Sequence, residues 1–272
     1  MAADGIRMAI GKVDASSLQD LVGAVLNIAL DLPNDRALWF RGTGCGMHPL
    51  LPTLMRDGQA VEKVFEREAR LLARFRQRSM AYWPAGYPQD DWEHLFAMQH
   101  YGIPTRLLDW TENVFVGAHF ALSDIPTAHG GHDGRCTPAI FCLDPVAWNR
   151  KAPPLSEYGE AIHILTTVDE EAEAYRPLTL KKRTATPVAI FGSHNSERIV
   201  AQRGTFVIWG REPKSMQCFA NDLGNSLLWQ IDLTGDRNVL LRDLRLLGFS
   251  ETMVFPELPS LADELTRVEG WR

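Results

Sequence analysis

The chain has 272 residues, 45% of them hydrophobic and 23% charged, with a formal net charge of -6. That is chain enough to bury a sizeable core, and the composition excludes the low hydrophobicity and high charge of a disordered polymer. A pI of about 5.8 gives no global attraction to nucleic acid or acidic membranes, so any such contact must come from a local patch.

No stretch approaches the roughly 18 consecutive apolar residues of a membrane helix, and the first residues lack the basic segment and apolar run of a signal peptide. A cytoplasmic location without a membrane partner is the expectation. Cys45, Cys136, Cys142 and Cys218 are scattered, with neither zinc-type spacing nor a dense secreted framework, and are expected as reduced thiols.

Taken in chain order, Ser16 to Leu30 places apolar residues at helical spacing behind a serine cap, and Asp31-Leu-Pro-Asn-Asp ends it. Arg36 to Phe40 reads as a short strand that delivers Arg41 to a flexible glycine loop, where it is suited to clamp an anion; the alternative is a structural arginine closing a turn. Gln59 to Trp83 is the longest helical pattern, with Val61, Val64, Phe65, Leu71, Leu72 and Phe75 as its buried stripe. Asp90 to Tyr101 predicts a second amphipathic helix, Thr105 to Leu108 a strand leading into Asp109, and Glu112 to Leu122 a further helix. Residues 123–137 read as a surface loop. Strands follow at 138–143, 187–191, 204–209 and 227–233, and helices at 238–249 and 258–268. Residues 150–185 mix prolines, acids and Lys181-Lys-Arg, which suggests an insertion or lid. Helices dominate the first half and strands the second without regular alternation, so the expected fold is a single α+β domain.

Several common sites are excluded. Gly42-Thr-Gly-Cys-Gly follows a strand, but His48-Pro-Leu-Leu-Pro cannot open the helix that a dinucleotide turn requires. Neither a GxxxxGK[ST] phosphate loop nor a GxSxG nucleophile elbow occurs. His129 and His132 in a glycine loop have no assigned carboxylate partner, and no metal site is expected. Arg67, Arg70, Arg74 and Arg78 share one helix face, either a track for phosphates or a solvated face interleaved with Glu66 and Glu68.

The densest stretch is Met98-Gln-His-Tyr-Gly-Ile-Pro-Thr-Arg-Leu-Leu-Asp-Trp-Thr-Glu-Asn113, where Thr105, Arg106, Asp109, Trp110, Thr111 and Glu112 crowd a strand and its exit into a helix. Core packing does not ask for so many polar side chains. Thr111 can cap the helix and leave amides for an anion. The structural alternative pairs Arg106 with Asp109 beneath Trp110.

This stretch, with Phe40-Arg41-Gly42, Leu50-Leu-Pro-Thr-Leu, Arg198-Ile-Val-Ala-Gln-Arg-Gly-Thr-Phe206, Leu246-Leu-Gly-Phe and Val254-Phe-Pro-Glu-Leu258, resembles the FRG domain family. The arrangement further resembles a divergent ADP-ribosyltransferase, which implies a split mixed β-sheet carrying NAD in its cleft. In that likeness Arg41 takes the first motif, the Thr105 to Thr111 strand exit the second, and Gln202 the third. Arg41, Gly42, Tyr101, Thr105, Arg106, Asp109 and Trp110 are implied to hold NAD, with Trp110 or Tyr101 stacked on nicotinamide and Thr111 orienting the ribose. The glutamate that many such enzymes carry falls here on Gly204, so the base is sought at Glu112, Asp109 or Glu197. The resemblance implies a toxin or phage-defence effector that modifies RNA, DNA or protein and has a neutralising antitoxin partner. A non-enzymatic phosphate-binding module and a nuclease or glycohydrolase using Asp109 and Glu112 are the alternatives.

Overall fold

Most of the strands are short apolar runs covered on both faces, as Ala-Ile-Phe-Cys-Leu and Val-Ala-Ile are. The strands are β1 (Gly11–Ala15), β2 (Trp39–Thr43), β3 (Leu107–Thr111), β4 (Ala139–Leu143), β5 (Val188–Ile190), β6 (Gly204–Ile208) and β7 (Leu228–Leu233). In the computed structural model, which describes residues 10–30, 32–33, 36–83, 86–124, 136–153, 155–192, 197–223 and 227–271, they join one 7-stranded sheet in the order β1-β7-β4-β2-β3-β6-β5. β1 runs parallel to β7, and the other neighbours are antiparallel. The fold is a single α+β domain, as expected.

One ladder is incomplete. β2 shares five register pairs with β4, and β3 shares five with β6, but β2 and β3 meet only at Phe40 and Thr111. The sheet therefore parts in its middle.

Helices cover both faces. On one face α1 (Leu18–Leu30), α4 (Val114–Ser123) and α8 (Arg237–Leu246) press Leu21, Ala118, Leu122 and Leu240 onto Phe40, Ile140 and Ile231. Further along that face, α3 (Asp91–His100) packs Trp92, Leu95 and Phe96 onto Leu107, Phe206 and Ile208. The opposite face is filled by Trp39, Leu108, Phe141 and Val207 beneath α2 (Val61–Ser79), α5 (Pro145–Lys151) and α7 (Met216–Leu223). The serine cap of α1 is a capping box: Ser17 Oγ accepts from the Asp20 amide while the Asp20 carboxylate accepts from the amides of Ser16 and Ser17.

Several expectations need correction. β2 runs through Gly42 to Thr43, so Arg41 lies within a strand and not at the mouth of a loop. Gly42 is there because α4 crosses the strand at contact: a Cβ on it would stand 1.9 Å from the Gly117 carbonyl oxygen. Residues 155–161 and 170–175 form 3-10 turns, and this stretch supplies Ile162, Leu165, Ala172 and Tyr175 to the core beside β5 and β6. Cys45 and Cys136 are not reduced thiols but a disulfide. β2 pairs with β4 through Thr43 and Ala139, which sets the exit of one strand beside the entry of the other. Cys142 is buried and Cys218 exposed, both as thiols.

The arginine face of α2 is also partly spoken for. Arg67 pairs with Asp57, Arg70 with Glu66 at 3.7 Å, and Glu68 turns inward, fully buried.

Candidate active site

A cavity of about 470 Å³ opens where the sheet parts. Its floor is Phe40, Gly42, Asp109, Thr111, Gly204 and Phe206, which the register places on one face of the sheet. α3 contributes Phe96, Gln99 and His100; α4 contributes His119, Phe120 and Ser123. Arg198, Ile199 and Gln202, from α6 (Glu197–Ala201) and the turn after it, form a third wall. Phe255, following the short α9 (Glu251–Val254), forms the fourth.

Arg41 spans the parting. Its Nη1 donates to the Asp109 carbonyl oxygen at 2.6 Å, and among the described residues no carboxylate lies close enough to pair with it. Desolvation lowers the guanidinium from its ordinary value, against the attraction of Asp109 and Asp124. It remains a cation, because an arginine has far to fall before it loses its proton.

The Asp109 side chain is held by a relay written in the Gln-His-Tyr-Gly-Ile-Pro-Thr-Arg-Leu-Leu-Asp run. Thr105 Oγ1 donates to Gln99 Oε1, which fixes the amide so that Gln99 Nε2 donates to Asp109 Oδ2 at 2.6 Å. Thr105 is itself locked by accepting from the Leu107 amide at 3.0 Å. Gly102, at φ +76, makes the tight exit from α3 that brings Gln99 back over β3.

Thr111 is fully engaged: its Oγ1 donates to the Gln202 carbonyl and accepts from the Asn113 amide at 3.0 Å. It does not cap α4; Asn113 does, accepting from the Phe115 amide at 2.9 Å. Gln202 sits in the turn before β6, not on a strand, and its Nε2 donates to the Val254 carbonyl at 3.0 Å. The turn is tight: Arg203 has φ 45, and its carbonyl accepts from the Glu112 amide.

Of the residues expected at the site, Arg41, Gly42, Asp109, Trp110, Thr111 and Gln202 line one cavity. Tyr101, Thr105, Arg106 and Glu112 do not. Arg106 is fully buried behind β3, donating from Nε to both Glu68 oxygens and from its other nitrogens to the Trp209 and Tyr175 carbonyls. Its partner is Glu68, not Asp109, because Arg106 and Asp109 lie three apart on an extended chain and point to opposite sides. Trp110 is 3% exposed and packs into the opposite core, Tyr101 is 64% exposed outside the cavity, and Glu112 is exposed at the end of β3. Glu197 heads α6 outside the cavity lining.

Sequence reasoning missed the remaining walls. His100 is held below its ordinary value by desolvation and then by Arg198, and His119 is lowered chiefly by desolvation. Arg198 lies 4.5 Å from the centroid of Phe255, a cation–π contact. Gln99 and His100 stood inside the quoted run and were legible as polar residues on a helix ending beside Asp109. Nothing short of the tertiary fold brings Phe255 to them.

Among the described residues no group of three or more His, Cys, Asp or Glu is arranged to hold a metal ion. His129 and His132 lie outside the described residues. Among them, too, no helix is long and apolar enough to cross a membrane.

Neither the curated proteins nor the solved structures include a match to this chain. The family model that does match, over residues 36–129, is that of the FRG domain. Its span starts just before β2 and runs past α4, taking in Arg41, Gly42, the Gln99 to Asp109 relay and both histidines of the cavity, and in this segment the chain carries an FRG domain.

Proposed function

We propose that the cavity binds NAD and that the chain transfers ADP-ribose from it. The observation that carries this reading is the convergence, at the parting of the sheet, of Arg41 and a relay-held Asp109 carboxylate in one aromatic-walled cavity of about 470 Å³. NAD presents flat rings, a diphosphate and ribose hydroxyls, and the walls offer aromatic faces, guanidiniums and oriented acceptors in the same space. The volume falls in the range of small-molecule sites.

The chemistry suits these residues. The bond between ribose C1′ and the nicotinamide nitrogen breaks, and neutral nicotinamide leaves with the electron pair. The carbon left behind has oxocarbenium character, which Asp109 stabilises electrostatically. A nucleophilic nitrogen or oxygen of the acceptor forms the new bond to C1′, and its proton passes to the Asp109 carboxylate. Arg41 and Arg198 hold the diphosphate. Gln99 and Thr105 keep the carboxylate aimed, so most of the orientation is made before substrate arrives. Glu112 and Glu197 lie outside the cavity, and of the two carboxylates that line it Asp124 accepts from the Gly44 amide at its rim while Asp109 is held over β3 by Gln99, so the carboxylate role falls to Asp109. Consumption of NAD would make such a chain a toxin or phage-defence effector and would call for a neutralising partner.

The test is nicotinamide release and NAD binding by the wild type beside Arg41→Ala and Asp109→Asn. Arg41→Ala should weaken NAD binding, and Asp109→Asn should keep binding while slowing release about 100-fold. A folded wild-type protein that neither binds NAD nor releases nicotinamide ends the reading.

A further inference from the structure

Residues 71–86 contain Arg74, Arg76 and Arg78, the aromatics Phe75, Tyr82 and Trp83, and no Asp or Glu, in a chain whose net charge is -6. Arg76 is committed to Asp91. Arg74 and Arg78 are exposed one turn apart on α2, and among the described residues neither has an ion-pair partner within 4 Å. Beside them stands an aromatic surface. Tyr82 is 80% exposed and Tyr101 is 64% exposed. Trp83 sits between them, fixed by donating from Nε1 to Ser79 Oγ at 3.0 Å, with its ring centroid 6.2 Å from that of Tyr101. Tyr101 in turn lies 4.8 Å from His100, which lines the cavity. One ring contact therefore joins this surface to a side chain that lines the cavity.

A contiguous patch of exposed rings marks an interaction surface. Rings interleaved with unpaired arginines fit a partner that offers flat faces and regularly spaced negative charge. Unstacked bases on a phosphate backbone supply both, and a duplex does not, because its bases are already stacked. We infer that Tyr82, Trp83, Tyr101, Arg74 and Arg78 bind single-stranded nucleic acid and lead it to the cavity at His100. On the NAD reading above, on which this step rests, that strand is the ADP-ribose acceptor.

The experiment titrates fluorescein-labelled oligouridylate and oligothymidylate with the full chain, following anisotropy over a range of salt. Binding of either single strand should weaken with salt, and a duplex should bind about tenfold more weakly. Tyr82→Ala should lower affinity about tenfold. The double variant Arg74→Glu, Arg78→Glu should lower it further and flatten the salt slope by ~1.4. All three side chains are exposed, so thermal melts of the variants should match the wild type. Affinity for uridylate over thymidylate, or the reverse, separates RNA from DNA as the source.

Incubation with labelled NAD then reads the acceptor, and label should enter the oligonucleotide. Wild-type protein that binds no oligonucleotide, or variants that bind as well as wild type, overturn the inference even if nicotinamide is released. Label that enters protein and not the oligonucleotide overturns the acceptor. Binding of the strand without nicotinamide release supports the surface and ends the NAD reading instead.

Discussion

Arg106 shows how a residue can be read correctly as important and wrongly as to its work. Its position in a polar run beside Asp109 suggested a ligand contact, whereas the side chain is 0% exposed and bonded to Glu68, 38 residues away in sequence. Residue spacing could not reveal this, because the α2 face that carries Glu68 reads as solvated until the helix is docked. A buried pair of this kind is costly to break and cheap to replace whole. Arg106→Leu should lower unfolding free energy by about 3–5 kcal/mol in urea titration, since it leaves a carboxylate buried without its cation. Adding Glu68→Leu should recover most of the loss; a double variant as unstable as the single would show that the pair does more than neutralise itself. Asp109 is the opposite case. Its place in the site was legible, and the reason for its geometry, the amide of Gln99 held by Thr105, lies within ten residues of it.

At the level of elements, most helices and strands were legible because their apolar periodicity is strong. α10 (Leu258–Val268) has the bounds its pattern predicts, and β3, β4, β6 and β7 fall within a few residues of theirs. β1 was not legible. Its sequence Gly-Lys-Val-Asp-Ala is exposed over four of five positions, and it is a strand only because β7 offers it an edge. The glycine of β2 was read as loop chemistry, yet its purpose is the crossing of α4 over the strand. Gly42→Ala should therefore destabilise by roughly 3 kcal/mol, lowering the melting temperature by roughly 6–12 °C, since the new methyl meets backbone and not a movable side chain. Melting at the wild-type temperature would mean that α4 can shift, and with it His119 and the cavity wall.

The whole molecule carries a pH signature set by its cavity. In the folded chain His100 and His119 have values below the ordinary 6.5. Below about pH 6.5 the unfolded chain takes up protons that the folded one refuses, so stability falls as the medium is acidified. Glu251 and Glu264 are lowered, by hydrogen bonds from Arg267 and Thr252 respectively. Their contribution is present above about pH 4.5 and is lost as pH falls through their folded values. Thermal melts should therefore decline in two stages, and His119→Asn should flatten the upper one. A melting temperature constant between pH 7 and 5 would contradict the burial of the two rings. Topology at this scale was the least legible property, because strand order depends on pairings that no local pattern encodes. That order has a practical consequence. β2 has its long ladder with β4 and β3 has its long ladder with β6, and both partners fall beyond residue 129, the end of the family match. Excised at those limits, the segment would keep two strands tied by a single register pair and would bare a hydrogen-bonding edge on each. It would be a template for aggregation and not a small stable domain, because the strands that complete its sheet lie outside the matched span.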